Sequence, residues 1–205
     1  MSLRNYSDLI ELSYKYIGYK KENKDLYIES KVKESLKELE CISAFKYIYA
    51  EFTNLLDILN QKPYLEFLNN STGYYIVATT LGIQVDKRIS LLSKKDMAYM
   101  VIFNSCAAAY LEYLADNYEY NTFGSNISYR FCPGYSNTST LDILELKKYL
   151  NLEKIGIEVF DSGMMLPEKS MFGIIAKDKN AKKTCNGCVI KDKCEYRKEK
   201  KTCYS

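Results

Sequence analysis

Residues 130–135, with the sequence Arg-Phe-Cys-Pro-Gly-Tyr, combine side chains that could hold a small charged ligand. The Pro-Gly pair predicts a type II turn, because Gly accepts the positive φ that this turn needs. Arg130 could hold a carboxylate with two parallel hydrogen bonds, and Tyr135 offers a hydroxyl and a flat ring. Together they could grip a zwitterion that carries a ring. The structural alternative is a turn in which Arg130 forms an ion pair and Tyr135 is packed.

A second set of reactive side chains lies near the C-terminus. Cys185 and Cys188 form a Cys-x2-Cys pair, and Cys194 and Cys203 follow at irregular spacing. Four thiolates in a stretch with few apolar residues suit a metal whose binding orders the chain. Because a four-cysteine zinc site usually has two such pairs, the spacing favours a [4Fe–4S] cluster. Structural zinc and free thiols are the alternatives.

The composition excludes several classes of protein. The 205 residues include no His, so imidazole bases, His-containing triads and His-ligated zinc or haem are excluded. The net charge of only +3 does not suggest a general polyanion binder. No apolar run approaches the roughly 18–20 residues of a membrane span, and the start of the sequence lacks the apolar core of a signal peptide. We therefore expect a cytoplasmic protein with no membrane or nucleic-acid partner, whose cysteines are thiols or metal ligands.

Hydrophobic periodicity predicts a domain of helices and strands over residues 1–176. Helices are predicted within 1–40, with a stop at Gly18, and over 62–69, 83–92, 94–118 and 138–152. Strands are predicted over 44–52, 74–82, 155–160 and 171–176, the last two joined as a hairpin. Since helices and strands do not alternate strictly, we expect an α+β fold, with a mixed or antiparallel twisted sheet flanked by helices.

The composition changes after this domain. Residues 177–205 hold ten Lys or Arg and four Asp or Glu, a net charge of +6, and four of the seven cysteines. We interpret them as a separate basic four-cysteine tail.

Three segments of the domain follow one another in an informative order. They are residues 78–86, followed by a helix with three consecutive alanines at 107–109; the turn at 130–135; and residues 164–170. This order resembles the activation domain of vitamin B12-dependent methionine synthase over most of residues 1–176. The Thr-Leu-Gly run at 80–82 and the Arg-x-x-Pro-Gly-Tyr turn are the most specific parts of the resemblance.

The resemblance implies a function in methionine biosynthesis. Such domains bind S-adenosylmethionine and dock on the corrinoid module of methionine synthase after its cobalt has oxidised to cob(II). One electron and the sulfonium methyl group then restore methylcobalamin. Arg130, Pro133, Gly134 and Tyr135 are the implied contacts to S-adenosylmethionine, and the cobalamin belongs to the partner. The chain would act in trans on a methionine synthase or another corrinoid protein, as an accessory with methyltransferase activity only beside that partner.

The sequence also departs from the family. Gly124 and Ala108 stand where acidic residues line the family's ligand site. Glu112, one turn beyond Ala108, is either a substitute or a solvated helix charge. The alternative function is an iron–sulfur redox accessory protein that delivers electrons to a corrinoid protein without binding S-adenosylmethionine. A nucleic-acid-binding module is a third reading of the tail, and the net charge of −3 on the rest of the chain argues against it.

Overall fold

The computed structural model describes residues 3–18 and 25–178. In chain order the elements are α1 (Tyr6–Ile17), α2 (Leu26–Ile42), β1 (Lys46–Phe52), α3 (Lys62–Leu68), β2 (Tyr74–Thr80), α4 (Ile83–Lys95), α5 (Met97–Phe123), β3 (Arg130–Phe131), α6 (Asp142–Leu146), β4 (Glu158–Val159), β5 (Met165–Leu166) and β6 (Ser170–Ala176). None of the helices in these ranges is long and apolar enough to cross a membrane.

Local side-chain chemistry sets the ends of the first helices. Asn5 caps α1 by accepting a hydrogen bond from the Asp8 N–H, while the Asp8 carboxylate accepts one from the Asn5 N–H. Gly18 ends α1 in the left-handed conformation, as the sequence predicts. Asp96 caps the start of α5 by accepting from the Tyr99 N–H.

The main sheet has four strands in the order β1-β2-β6-β3, and every neighbouring pair is antiparallel. The central strands β2 and β6 are paired over seven residues, from Tyr74 opposite Ala176 to Thr80 opposite Ser170. Most residues of both strands are buried, since helices or loops cover both faces of the sheet. The predicted α+β fold with an antiparallel sheet is confirmed.

Each face of the sheet has its own hydrophobic core. α1, α2, α4 and α5 pack together in one cluster, and the side chains of Val77 and Ile175 lie on the sheet face near the end of α5. The opposite face, with Ile76 and Ile174, packs against α3, α6 and the segment 150–157. Successive residues of a strand therefore point into different cores.

Two sequence-based predictions about the second half of the domain are wrong. Residues 171–176 do not form a hairpin with 155–160, because β6 lies between β2 and β3, while β4 pairs locally with β5. The helix predicted over 138–152 is reduced to the five residues of α6 followed by short 3-10 turns. Leu150, with φ −131° and ψ 136°, is extended and ends this helical segment.

Asp86 connects two of the segments that carry the family resemblance. Its carboxylate accepts hydrogen bonds from the backbone N–H groups of Glu168 (2.6 Å) and Lys169 (3.4 Å). The Lys169 carbonyl accepts in return from the Leu81 N–H at 2.9 Å. The segments 78–86 and 164–170 are therefore joined directly beside the central strands.

We predict that Asp86→Ala lowers the free energy of unfolding by about 1–2 kcal/mol, because a charge-assisted acceptor for two N–H groups is lost. Urea denaturation measures this loss. Asp161→Ala, at an exposed loop position, is the control and should cost less than about 0.5 kcal/mol. Equal effects of the two substitutions would show that the Asp86 contacts contribute nothing.

Candidate functional site

The 130–135 turn has the predicted geometry. Gly134 has φ 97° and ψ −12°, the values of the third residue in a type II turn, and the Tyr135 N–H donates to the Cys132 carbonyl at 3.0 Å. The Thr138 side chain stabilises the turn with two hydrogen bonds. Its hydroxyl accepts from the Gly134 N–H at 2.9 Å and donates to the Tyr135 carbonyl at 2.7 Å.

The backbone after the turn adopts a conformation that few side chains favour. Ser136 (φ 50°) and Asn137 (φ 66°) both lie in the left-handed region. Residues in such regions cost of the order of 1 kcal/mol each and persist only where their surroundings impose them. Tyr135, which precedes these two residues, has 44% of its surface exposed.

Arg130 lies in β3, at the edge of the sheet, and its side chain is buried between the sheet and α5. Phe131, the next residue, points into the opposite core. The stem of Arg130 crosses Gly173 of β6, where a Cβ atom would lie 2.5 Å from Arg130 Cγ and 3.1 Å from the Phe131 carbonyl oxygen. A glycine at position 173 therefore makes room for the arginine.

Two carboxylates of α5 meet the Arg130 guanidinium. Nη1 contacts Oε1 of Glu119, which is fully buried, and Nη2 lies 3.4 Å from Oδ1 of Asp116. Glu112, Asp116 and Glu119 are spaced four and three residues apart, so they form one stripe along α5.

Arg4 and Tyr47, both half-buried, contact the same two carboxylates. Arg4 Nη2 lies 2.7 Å from Asp116 Oδ2, and the Tyr47 hydroxyl donates to Glu119 Oε1 at 2.8 Å. We call Arg4, Tyr47, Asp116, Glu119 and Arg130 the Arg130 cluster. Its two guanidinium groups balance its two carboxylates, so the cluster is neutral when all four are ionised.

Burial and the ion pair act in opposite directions on the cluster. Burial by itself lowers the pKa of Arg130, but Glu119 and Asp116 more than offset this and raise it, so the guanidinium stays charged. Burial raises the pKa of the Glu119 carboxyl, and Arg130 opposes that shift. The negative charge of Glu119 therefore depends on the presence of Arg130.

One edge of the Arg130 guanidinium is not fully used. Nε is buried and finds no hydrogen-bond acceptor among residues 3–18 and 25–178. Nε and Nη2 form a planar fork that can hold a carboxylate with two parallel bonds. Nη2 makes a long 3.4 Å contact with Asp116. Glu119 Oε2 is likewise buried without a hydrogen bond in the part of the chain that the structure describes.

A half-exposed group of side chains lies beside the turn. Burial and the nearby negative charge of Glu112 raise the pKa of Tyr16, which lies in the last turn of α1. Cys132, burial and Glu112 raise the pKa of Tyr135. Tyr16, Glu112 and Tyr135 thus form an acidic and aromatic surface close to Arg130.

Arg130, Cys132, Pro133, Gly134 and Tyr135 are near neighbours in the chain, with the Arg130 side chain buried and Tyr135 exposed. Glu112 is half-buried near Tyr16 and Tyr135 rather than a fully solvated charge.

The positions that depart from the family lie in α5 or at its end. Ala108 is half-buried within α5, and Gly124 ends the helix.

Sequence reasoning missed Asp116 and Glu119. The signal that could have found them is the spacing of two further acidic residues from Glu112 within a helix that has no Lys or Arg, in a chain with only four arginines.

Cys185, Cys188, Cys194 and Cys203 lie outside the described residues. Within the described ranges, no cluster of three or more His, Cys, Asp or Glu residues could hold a metal ion. The iron–sulfur and zinc hypotheses for the tail stay predictions.

Two surface grooves lie away from the turn. One, of about 790 Å³, is lined by residues 147–159, and the other, of about 490 Å³, lies between α2 and α4 beside Cys41. Neither is lined by a residue of the turn or of the Arg130 cluster.

Comparison with known proteins supports the fold. No protein-family model and no curated protein matches the sequence. Among solved structures, the chain is similar to the crystal structure of the MetH reactivation domain bound to AdoHcy, with a TM-score of 0.56 and 14% sequence identity. The match covers 87% of this chain and 73% of that chain. The chain therefore has a reactivation-domain-like fold, as its sequence resemblance implies.

Proposed function

We propose that this protein binds S-adenosylmethionine at the 130–135 turn and supports, in trans, the reductive remethylation of cobalamin on a B12-dependent methionine synthase or a related corrinoid protein. The fold is similar to that of a domain solved with AdoHcy, the demethylated form of the same ligand. The observation that carries the proposal is Arg130 Nε, which has no acceptor among residues 3–18 and 25–178, in the same turn segment as the exposed Tyr135.

Arg130 is the residue that would hold the ligand carboxylate. Its Nη1 would stay on Glu119, and its Nε and Nη2 would hold the ligand carboxylate in place of the long Asp116 contact. A buried guanidinium that already has its orientation fixed loses little entropy on binding, which favours affinity. Pro133 and Gly134 set the turn that aims Tyr135 at the same region.

Tyr135 and its neighbours would contact the rest of the ligand. A tyrosine ring offers a flat face to the adenine or the ribose, and aromatic faces attract cations such as a sulfonium. Glu112 adds a negative charge next to Tyr135. The positive charge of Arg130 would therefore meet the anionic carboxylate of the ligand, and the negative charge of Glu112 would meet its cationic sulfonium.

The surface next to the turn exposes apolar side chains on which a partner protein could dock. Thr140 lies between the turn and the β4–β5 hairpin, since Cβ atoms added at Gly134 and Gly163 would each come within 2.9 Å of it. Around it, three large apolar side chains are 42–66% exposed: Leu141, Phe160 and Met164. Exposed apolar groups concentrated at one place are typical of interaction sites. A corrinoid protein docked on this rim would bring its cobalt close to the ligand methyl group.

The chemistry asks the chain only to bind and position. One electron from an external donor converts cob(II) to cob(I), whose electron pair forms the Co–C bond while the S–C bond breaks. S-adenosylhomocysteine leaves with the sulfur electron pair. No proton is transferred, so the absence of His from the sequence is compatible with the proposal. Orientation of the sulfonium toward cobalt is the contribution expected from the protein.

Isothermal titration of the full chain with S-adenosylmethionine and S-adenosylhomocysteine tests the proposal. Tyr135→Ala is expected to weaken binding by about 1–3 kcal/mol, roughly 5- to 150-fold, because a ring that contacts the ligand is lost. Tyr27→Ala removes a ring of similar exposure (47%, against 44% for Tyr135) at the start of α2 and is the matched control.

The control should bind like the wild type. If the wild-type chain binds neither ligand, the proposed site is wrong. If it binds neither ligand yet supports reduction of a corrinoid protein, the redox accessory function is correct instead.

A further inference from the structure

We propose that Phe131 is a positioning residue that holds the ring of Tyr135 in the orientation in which it contacts an adenosyl ligand. This inference rests on the proposed function and concerns the same site. Phe131 does not touch the ligand in this proposal. It acts through Tyr135, because the two rings are in contact.

The Phe131 ring is fixed in the core on the sheet face opposite the Arg130 cluster. Its side chain is 2% exposed, and two rings of α3 pack against it. The distance between ring centroids is 5.4 Å to Tyr64 and 5.0 Å to Phe67. Tyr64 is itself fully buried, and its hydroxyl donates to Asp142 Oδ2 at 2.8 Å. Because protein cores are close-packed, a ring enclosed in this way keeps one orientation.

The Tyr135 ring lies against this fixed ring. The two ring centroids are 6.0 Å apart and the ring planes meet at 61°, a T-shaped contact. Such a contact is directional, since the positive edge of one ring meets the negative face of the other. The hydrogen bonds of Thr138 fix the backbone of the turn, but they leave the Tyr135 side chain free to choose among its rotamers. The contact with Phe131 therefore favours one of these rotamers.

The two residues proposed to hold the ligand are thus oriented from opposite faces of the sheet. Arg130 is held by carboxylates of α5, whereas Tyr135 is held through Phe131 by the rings of α3. A tyrosine that already has its orientation loses little rotational freedom when a ligand binds. Without the Phe131 ring, the Tyr135 ring samples more rotamers, and binding has to restrict it again.

The test measures the binding of two ligands by isothermal titration. S-adenosylhomocysteine carries the amino-acid part, and 5′-deoxy-5′-methylthioadenosine has the same adenosyl thioether without it. We expect Phe131→Leu to weaken both ligands equally, by about two- to tenfold, the effect of one aromatic pair. In the Tyr135→Ala background the same replacement should cause no further loss, because the ring that it positions is already absent.

Phe172→Leu is the matched control. Phe172, in β6, is also 2% exposed and belongs to the same core as Phe131. Each replacement removes one ring from this core, so each should lower the midpoint of urea unfolding. Phe172→Leu should nevertheless leave the affinity for both ligands unchanged, which separates loss of stability from loss of positioning.

A ligand-free measurement separates this inference from the proposed function. The NMR couplings between the Hα and the two Hβ protons of Tyr135 report its χ1 angle. They should indicate one rotamer in the wild type and in Phe172→Leu, and an average over rotamers in Phe131→Leu. Should the wild type bind no adenosyl ligand, the proposed function fails, and the couplings still decide whether Phe131 orients Tyr135.

Three results overturn the role of Phe131. The first is a folded Phe131→Leu variant in which the Tyr135 couplings or the ligand affinities are unchanged. The second is an equal loss of affinity in Phe172→Leu or in the Tyr135→Ala background, which would indicate general damage to the domain. The third is weakening of S-adenosylhomocysteine alone, which would show that the replacement acts through the neighbouring Arg130.

Discussion

Replacement of Arg130 with methionine is expected to lower the free energy of unfolding by about 3–5 kcal/mol, because it leaves the fully buried Glu119 carboxylate without its cation. The loss should be seen in urea or thermal denaturation. Combining Arg130→Met with Glu119→Gln removes the unpaired charge, while the amide oxygen can still accept from Tyr47. That double variant should recover most of the lost stability.

Arg88→Met provides the matched control. Arg88 contacts Glu38 through two nitrogens, at 2.6 and 3.1 Å, yet both side chains are 27% exposed. An ion pair with such exposure contributes about 0–1 kcal/mol. If Arg130→Met costs no more than Arg88→Met, the burial of the Arg130 cluster has no energetic consequence.

The deficit of Arg130→Met should also depend on pH. Burial already raises the pKa of Glu119, and removal of Arg130 removes the main opposing effect, so the folded pKa rises further above the unfolded value. A folded state that binds protons more readily gains stability as pH falls from above the raised pKa toward the unfolded value near 4.3. The stability of the variant should therefore approach that of the wild type as pH falls from neutral toward that unfolded value. A deficit that is constant over this range would argue against an unpaired Glu119.

Gly173→Ala is expected to lower the free energy of unfolding by about 1–3 kcal/mol and to displace Arg130. The added Cβ would meet Arg130 Cγ at 2.5 Å and the Phe131 carbonyl oxygen at 3.1 Å, and the second of these is backbone in a paired strand. Since the φ of Gly173 is not in the left-handed region, the cost comes from space and not from backbone strain.

A double-mutant cycle isolates the contact between Gly173 and Arg130. In the background Arg130→Ala with Glu119→Gln, the side-chain obstacle is absent, and Gly173→Ala should cost less than about 1 kcal/mol. The difference between the two backgrounds measures the coupling. The same cost in both backgrounds would mean that the alanine methyl group clashes with the backbone alone.

The sequence predicted those parts of the fold that depend on local chemistry. Gly18 ends α1, β1 and β2 lie within the predicted ranges, and Gly134 takes the positive φ that the Pro-Gly pair required. Each of these features is decided by residues within a few positions of one another, which is the range over which capping, alternation and turn preferences act.

The position of β6 could not be predicted in this way. Its pairing with β2 joins residues about a hundred positions apart, and no sequence feature of either strand indicates which strand it pairs with. The nearer segment 155–160 was a plausible but wrong choice. The same limitation applies to Arg130, whose partners Asp116 and Glu119 lie on a different element and become neighbours only when α5 crosses the sheet.

The late place of β6 in the chain has a consequence for biosynthesis. A ribosome completes β1 and β2, and later β3, before it adds residues 170–176, so both β2 and β3 lack β6 as a neighbour until then. Pairing between distant segments is slow and leaves strand edges open to misassembly in the meantime. Gly173, which the stem of Arg130 crosses, is among the last of the described residues to be made. A nascent chain that stops before residue 170 therefore has every polar member of the Arg130 cluster but no closed sheet on which to assemble them.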